Sequence, residues 1–512
     1  MEQERNKTKK SSFKAKSIMK KILSNKIRLI QVIFLYLKIT LNVTISLEIS
    51  HFIISKYSYI RLKINSSGTF NVFSKHKEYG VNSINFNSPN EIHINNINKT
   101  EVRYNYYFEQ ENNTIDLIWN NNYKNSILYT CNLFRDCSRI TEIDLSHFDS
   151  RNVTHMEYMF LGCIALTSIN FGNFDTSKTT NMESMFYSCI SLKYLDLSCL
   201  DTSRVQTMKL MFYNCTSLTS IKLRFNTSSV KSMASMFNHC VSLKCLDLSS
   251  FNTSNVSKMY NMFQNCFSLT HLDLSSFYTP KLNETSSMFA NCKSIISLNL
   301  IGFDTQKIVE INSMFENCSS LAYLDLSNFY LPNIKYLKNM FYGCASLTCL
   351  NLSNFRPNNQ ISSTENMFYN CSSLFFLDIS HLKLNDYTLN INNMFYGCSN
   401  LKYINLDSVN FYSENKNKIK TFLYSLNNDI IVCGFDNFFS EDSSLCERGI
   451  YCINELYGIN SSYQDYHCFS KCKEDLNNTN YTCPYKFLKK MNQTTIIYII
   501  VVWIIISLNV II

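Results

Sequence analysis

Glycine and proline are scarce in this chain, ten and five among 512 residues. That excludes collagen-like and loop-rich, low-complexity organisation, which need one or both in quantity. Basic charge is also scarcer than the formal net charge of +9 suggests, because ten Lys or Arg stand against Glu2 and Glu4 before residue 29. That leader carries +8, so residues 29–512 carry only +1. A basic body that would hold nucleic acid by neutralising phosphates is absent, and no nucleic-acid partner is expected. Catalytic signatures are missing too: there is no H-E-x-x-H, no G-x-S-x-G and no Gly-rich phosphate loop, and the nine His are scattered. The chain reads as a non-enzyme with no catalytic residue, cofactor or metal.

Long apolar runs occur only near the two ends. Leu29 to Leu37 follows the basic leader and is too short to span a bilayer, but it fits the apolar region of a secretory signal. Residues 1–46 are therefore expected to be a basic region plus signal peptide; a cytosolic amphipathic helix or an uncleaved anchor is the competing reading. At the other end, "IIYIIVVWIIISLNVII" from Ile496 to Ile512 is uncharged and follows Lys489 and Lys490. Residues 493–512 are expected to be a membrane anchor or a removed glycolipid-anchor signal, and both place the body outside the cell. N-x-S/T sequons agree with this, among them Asn65, Asn226 and Asn252, although Asn214, Asn317 and Asn370 crowd a repeated Cys.

What the chain has in abundance is a repeat. Met-Phe recurs from Met159-Phe160 to Met394-Phe395 at spacings of 25, 26 or 27, with Leu133-Phe134 as an eleventh member. A Cys follows each Phe by three, from Cys137 to Cys398. Periods of this length with Leu at x-x-L-x-L spacing are the mark of a leucine-rich solenoid. In "LKYLDLS", Leu192, Leu195 and Leu197 can face a core while Tyr194, Asp196 and Ser198 face out. "DTS" then supplies turn and N-cap chemistry. Val205, Met208, Met211, Phe212 and Cys215 follow at roughly helical spacing, which predicts a short helix in each coil. One coil cannot bury its apolar side alone, and stacked neighbours bury it for each other. The Cys column is read as a ladder of small buried side chains, since identical registers and an odd count suit that better than pairing, and no C-x-x-C accompanies it.

The unit MFxxCxSLxxLDLSxFxTSxVxxM, as in "MFQNCFSLTHLDLSSFYTPKL", closely resembles the BspA-like surface leucine-rich repeat proteins. The resemblance covers about residues 131 to 411. It implies a solenoid displayed at the cell surface for adhesion or recognition, and it transfers no catalytic residue.

The expected architecture is an α/β leucine-rich-repeat solenoid of about 11 coils, each a short parallel strand plus a short helix. It spans residues 131–411. Residues 47–130 alternate like strands and predict a small β-rich N-terminal cap, with "SSG" as a hairpin turn. Residues 412–492 predict a disulfide-rich C-terminal module from Cys433, Cys446, Cys452, Cys468, Cys472 and Cys483, with open pairing and a zinc module as the runner-up.

Periodicity also says where a ligand would sit. The outward column between the last two apolar strand positions contains Asp196, Asp247, Asp273, Asp325 and Asp378, and Lys222 is the one basic residue in it. The flanking column contributes Tyr194, His271, Tyr323 and Phe376. At about 4.8 Å per strand, eleven coils would spread this stripe over roughly 50 Å. Spaced aromatics on a polar stripe suit an extracellular protein or glycan ligand; the alternatives are Asp and Asn that merely close turns, and a coat protein with no specific ligand. Oligomeric state is left open.

Overall fold

The computed structural model describes residues 57–74, 88–120, 127–384, 389–406, 430–433 and 451–453. The basic leader, the apolar tail, and Cys446, Cys468, Cys472 and Cys483 lie outside the described residues. Among the described residues no helix is long and apolar enough to cross a membrane.

Among the described residues seventeen strands follow one another: β1 (Tyr57–Asn65), β2 (Gly68–Asn71), β3 (Glu91–Ile94), β4 (Ile97–Asn98), β5 (Asn105–Phe108), β6 (Asn112–Asn120), β7 (Ile140–Asp144), β8 (Ser168–Asn170) and β9 (Tyr194–Asp196). Then come β10 (Ser220–Lys222), β11 (His271–Asp273), β12 (Ser297–Asn299), β13 (Cys349–Asn351), β14 (Phe376–Asp378), β15 (Tyr403–Asn405), β16 (Ile431–Cys433) and β17 (Tyr451–Ile453). From β7 onward the pairings are parallel and in register, as in Ser220↔Tyr194 and Leu350↔Leu377. The result is a β-solenoid of about ten turns. Its parallel sheet continues from β15 through β16 to β17, which contain Cys433 and Cys452.

The expected helix in each coil is not there, and the α/β class gives way to an all-β one. The segment from Met182 to Cys189 shows why. Alternate N–H groups leave the coil: those of Met182, Ser184, Phe186 and Ser188 donate to carbonyls of Thr207, Lys209, Met211 and Tyr213 at 2.8 to 3.2 Å. Those of Met185, Tyr187 and Cys189 fold back three residues within the coil, and that of Glu183 donates to the Asn181 side chain at 2.9 Å. A helix would use every N–H internally, four residues back. Here Ser184 and Ser188 sit at φ of 54° and 57°, and equivalents recur in the other coils, as at Leu210 and Asn214 or Asn261 and Asn265. Each left-handed residue reverses the winding before a helical turn can close. The spacing of Met208, Met211, Phe212 and Cys215 therefore mimics a helix face while the backbone forms a ladder of turns. An isolated-bridge column from Tyr129 through His155, Asn181 and Thr207 onward marks the start of this second ladder.

The core is one continuous cluster running along the solenoid. Phe134, Phe160, Phe186 and their successors to Phe395 stack at 5.3 to 5.8 Å between ring centres. Beside them, each thiol of the repeat column from Cys163 to Cys398 is buried and donates to the carbonyl of the Phe in the preceding coil at 3.0 to 3.2 Å, as Cys215 does to Phe186. The Thr of the expected N-cap has a different task. Thr202, Thr227, Thr253 and Thr279 are buried and donate to carbonyls of the next coil at 2.8 to 3.2 Å.

Strands before residue 121 close the first coil. β1 pairs antiparallel with β6 on one side and β7 on the other, so the solenoid sheet begins as the edge of this one. Ile60, Leu62 and Ile64 alternate inward, and Trp119 meets Phe148 edge-on at 5.3 Å. The "SSG" stretch makes no hairpin: β2 pairs with β5 in a separate two-stranded sheet, and Gly68 at φ 121° redirects the chain there.

Candidate functional site

The outward stripe exists, because side chains in a strand alternate and Leu195, Leu272 and Leu377 occupy the inner face. Its Asp and Asn residues share one task. Asp196, Asp247, Asp273, Asp325 and Asp378 each accept, through Oδ1, the N–H of the Ser two residues on, at 2.9 to 3.0 Å. Asn299 and Asn351 likewise accept the N–H two residues on, from Ile301 at 3.2 Å and from Ser353 at 2.8 Å. These are Asx turns that end each strand, and they need only one of the two side-chain oxygens.

Three groupings emerge along the stripe. Around β9 and β10 the Tyr194 hydroxyl donates to Asp196 Oδ2 at 3.2 Å, and Lys222 Nζ lies 3.4 Å from the same oxygen and 5.8 Å from the Tyr194 ring centre. Asp196 is held below the usual carboxylate range first by the Ser198 hydroxyl, with Lys222 adding to it. Lys222 is correspondingly raised by Tyr194 and Asp196. Near the middle, His271 Nδ1 pairs with Thr270 Oγ1 at 3.0 Å, and Asp247 and Asp273 stand exposed on neighbouring coils. Toward the C-terminal end, Tyr323, Asp325 and Phe376 surround a depression of about 90 Å³.

Cys349 and Asn351 also line that depression. Cys349 escaped the sequence reading because a small thiol breaks the aromatic pattern of its column. A second miss is the stacked row Tyr342, Tyr369 and Tyr396 on the turn ladder, at 4.8 and 4.9 Å. Its Met-Phe-Tyr signal was legible, but the assumed helix hid that successive Tyr would stack. Among the described residues no group of three or more His, Cys, Asp or Glu is placed to hold a metal.

Comparison with known proteins agrees with the repeat. The model of the family described as "Mycoplasma protein of unknown function, DUF285" matches residues 102–194, 125–244, 192–299, 223–320 and 284–408, together more than half of the chain. The chain belongs to the DUF285 family. The DUF285 matches overlap along the stacked coils, each covering several of them, and reach back into β5 and β6. A leucine rich cell surface protein from Faecalibacterium prausnitzii A2-165 is similar at 15% identity and a TM-score of 0.28, over 56% of this chain and 77% of that one. The TLR13–ssRNA13 complex is similar at 14% identity and 0.22, over 57% of this chain and 50% of that one. Scores this low carry no argument about what the DUF285 array does. No curated protein matches the chain.

Proposed function

We propose that this DUF285 protein is a cell-surface recognition protein that binds an extracellular protein or glycan through the strand face of its solenoid, and that it is not an enzyme. One observation carries the reading: Tyr323, Asp325, Cys349, Asn351 and Phe376, from three successive coils, surround a single depression. Aromatic faces beside amide and carboxylate oxygens suit the apolar patches and hydroxyls of a sugar, or a peptide with a basic residue. The surface setting rests on the basic leader, the apolar tail and the sequons, and the tail would hold the chain to the membrane.

The Asx turns favour a second reading, a structural coat protein whose Asp column serves only the backbone. Asp325→Asn separates the two, because Asn keeps the turn-closing oxygen and removes the charge. The full chain is screened against panels of matrix proteins and glycans, and Asp325→Asn, Tyr323→Ala and Phe376→Ala are then tested on whatever binds. We expect saturable binding, weakened on the order of tenfold by each variant, about 1.4 kcal/mol, with an unchanged melting temperature for Asp325→Asn. Saturable binding indifferent to all three variants rules out this face, and no saturable binding to any panel favours the coat.

A further inference from the structure

A second concavity lies away from the strand face. It is a groove of about 720 Å³ on the surface between the Thr turn and the turn ladder, and it crosses five successive coils from Thr180 to Lys281. Arg204, Lys231 and Lys281 line it together with Thr180, Gln206 and Asn255, and serines fill the rest. The nine lining side chains include no carboxylate and no aromatic ring.

The lysines here are partnered unlike the ion-paired lysines of the ladders. On the ladders, Lys209 pairs with Glu183 at 3.3 Å, Lys258 with Glu284 at 2.9 Å and Lys338 with Glu365 at 3.0 Å, each across one coil step. In the groove, Lys231 Nζ donates to Gln206 Oε1 at 3.2 Å and Lys281 Nζ to Asn255 Oδ1 at 2.6 Å. Just before it, Lys178 Nζ donates to Asn152 Oδ1 at 2.7 Å. Neutral amides position these ammonium groups without cancelling their charge. Asp201 feels Arg204, but its Oδ1 accepts the Ser203 N–H in its own turn and it does not line the groove.

The walls are rigid as well as positive. Backbone bonds tie the inner column coil to coil, Gln206 N–H to Thr180 O at 2.8 Å, Lys231 N–H to Gln206 O at 2.8 Å and Ser257 N–H to Lys231 O at 2.9 Å. Asn255 Nδ2 donates to Ser228 O at 2.7 Å, and Ser229 Oγ to Ser203 O at 2.6 Å. Cationic side chains on a fixed concave floor concentrate field on whatever lies there and need little ordering to bind it.

We propose that this groove binds a linear anionic polysaccharide, its sulfate or uronate groups held by Arg204, Lys231 and Lys281 and its hydroxyls by the Ser, Thr and amide side chains. A single-stranded nucleic acid fits less well, since such sites depend on aromatic side chains that stack the bases and the groove has none. The three cations span three coil steps, roughly 14 Å at strand spacing, which suits a ligand with charges repeated along its length.

The test uses the unglycosylated full chain in detergent, with binding measured at low and at physiological salt. The probes are heparin for sulfate, polygalacturonate for carboxylate, neutral dextran and an oligothymidylate. Heparin or polygalacturonate should bind, dextran should not, and the Arg204→Gln/Lys231→Gln/Lys281→Gln variant should lose on the order of tenfold or more in affinity and most of the salt dependence. Lys222→Gln and Asp325→Asn, on the strand face, should leave that binding unchanged, which keeps this outcome separate from the fate of the strand-face reading. Tighter binding of the oligothymidylate, no binding of either polyanion at low salt, or a triple variant that melts normally and binds like the parent would each overturn the proposal.

Discussion

Single residues set the path of each coil through their backbone dihedrals. Most left-handed positions on the turn ladder are filled by Asn, Ser or Gly, yet Leu210 sits at φ 57° and Tyr158 at 61°. For an ordinary L-residue that region is disfavoured by roughly 1–2 kcal/mol, and Asn, whose short amide can bond locally, tolerates it better. Leu210→Asn should therefore raise the stability read from urea unfolding by about 0.5–1 kcal/mol once the lost contact of a half-buried Leu is set against the relieved strain. Asn214→Val should lower it by more, because a β-branched residue is forced into φ 59° and the bond from Asn214 Nδ2 to Ser188 Oγ is lost. The opposite order of the two variants would show that side-chain packing, and not the dihedral, governs these positions.

At the scale of an element, the Cys column couples the coils to pH. Burial pushes the Cys215, Cys292 and Cys344 thiols up to about 12, and Cys189, Cys240, Cys266 and Cys318 rise well above their ordinary value for the same reason. Their folded values lie above those in the unfolded chain. Stability is then fully present below about pH 9 and is lost as pH climbs toward 12, because the unfolded chain releases protons that the native column keeps. Each such thiol should remove about 1.4 kcal/mol per pH unit in that window. Comparing urea midpoints at about pH 8 and about pH 10, Cys215→Ala/Cys292→Ala/Cys344→Ala should start lower, from its cavities, but fall less than the parent. Parallel losses in the two proteins would show that the thiols stay protonated in both states or titrate alike. The column was legible as buried from its spacing alone. That each thiol would donate to a Phe carbonyl 28 to 30 residues earlier was not, since that depends on the pitch of the stack.

At the scale of the whole molecule, each coil touches mainly its neighbours, and stability approximates a sum of coils and interfaces. Removing residues 293–318, one full 26-residue period, should leave a folded and shorter array with a single unfolding transition. Removing residues 293–305 should not, because it sets strands opposite turns and breaks the Phe, Cys and Thr columns together. Far-UV circular dichroism and thermal melts of the two deletions check this, and a well-folded half-period deletion would refute the in-register stacking. The sequence by itself determined the period, the coil boundaries, the inward Leu, Phe and Cys columns and the outward Asp stripe, since each follows from a residue type recurring at fixed spacing. Only the tertiary structure decided that Met208 to Cys215 forms a turn ladder and not a helix. Both conformations put the same side chains inward, and the choice depends on N–H groups that find their acceptors one coil away. It also decided that Arg204, Lys231 and Lys281 share a groove. Those three occupy different positions of the repeat and become neighbours only when the coils stack.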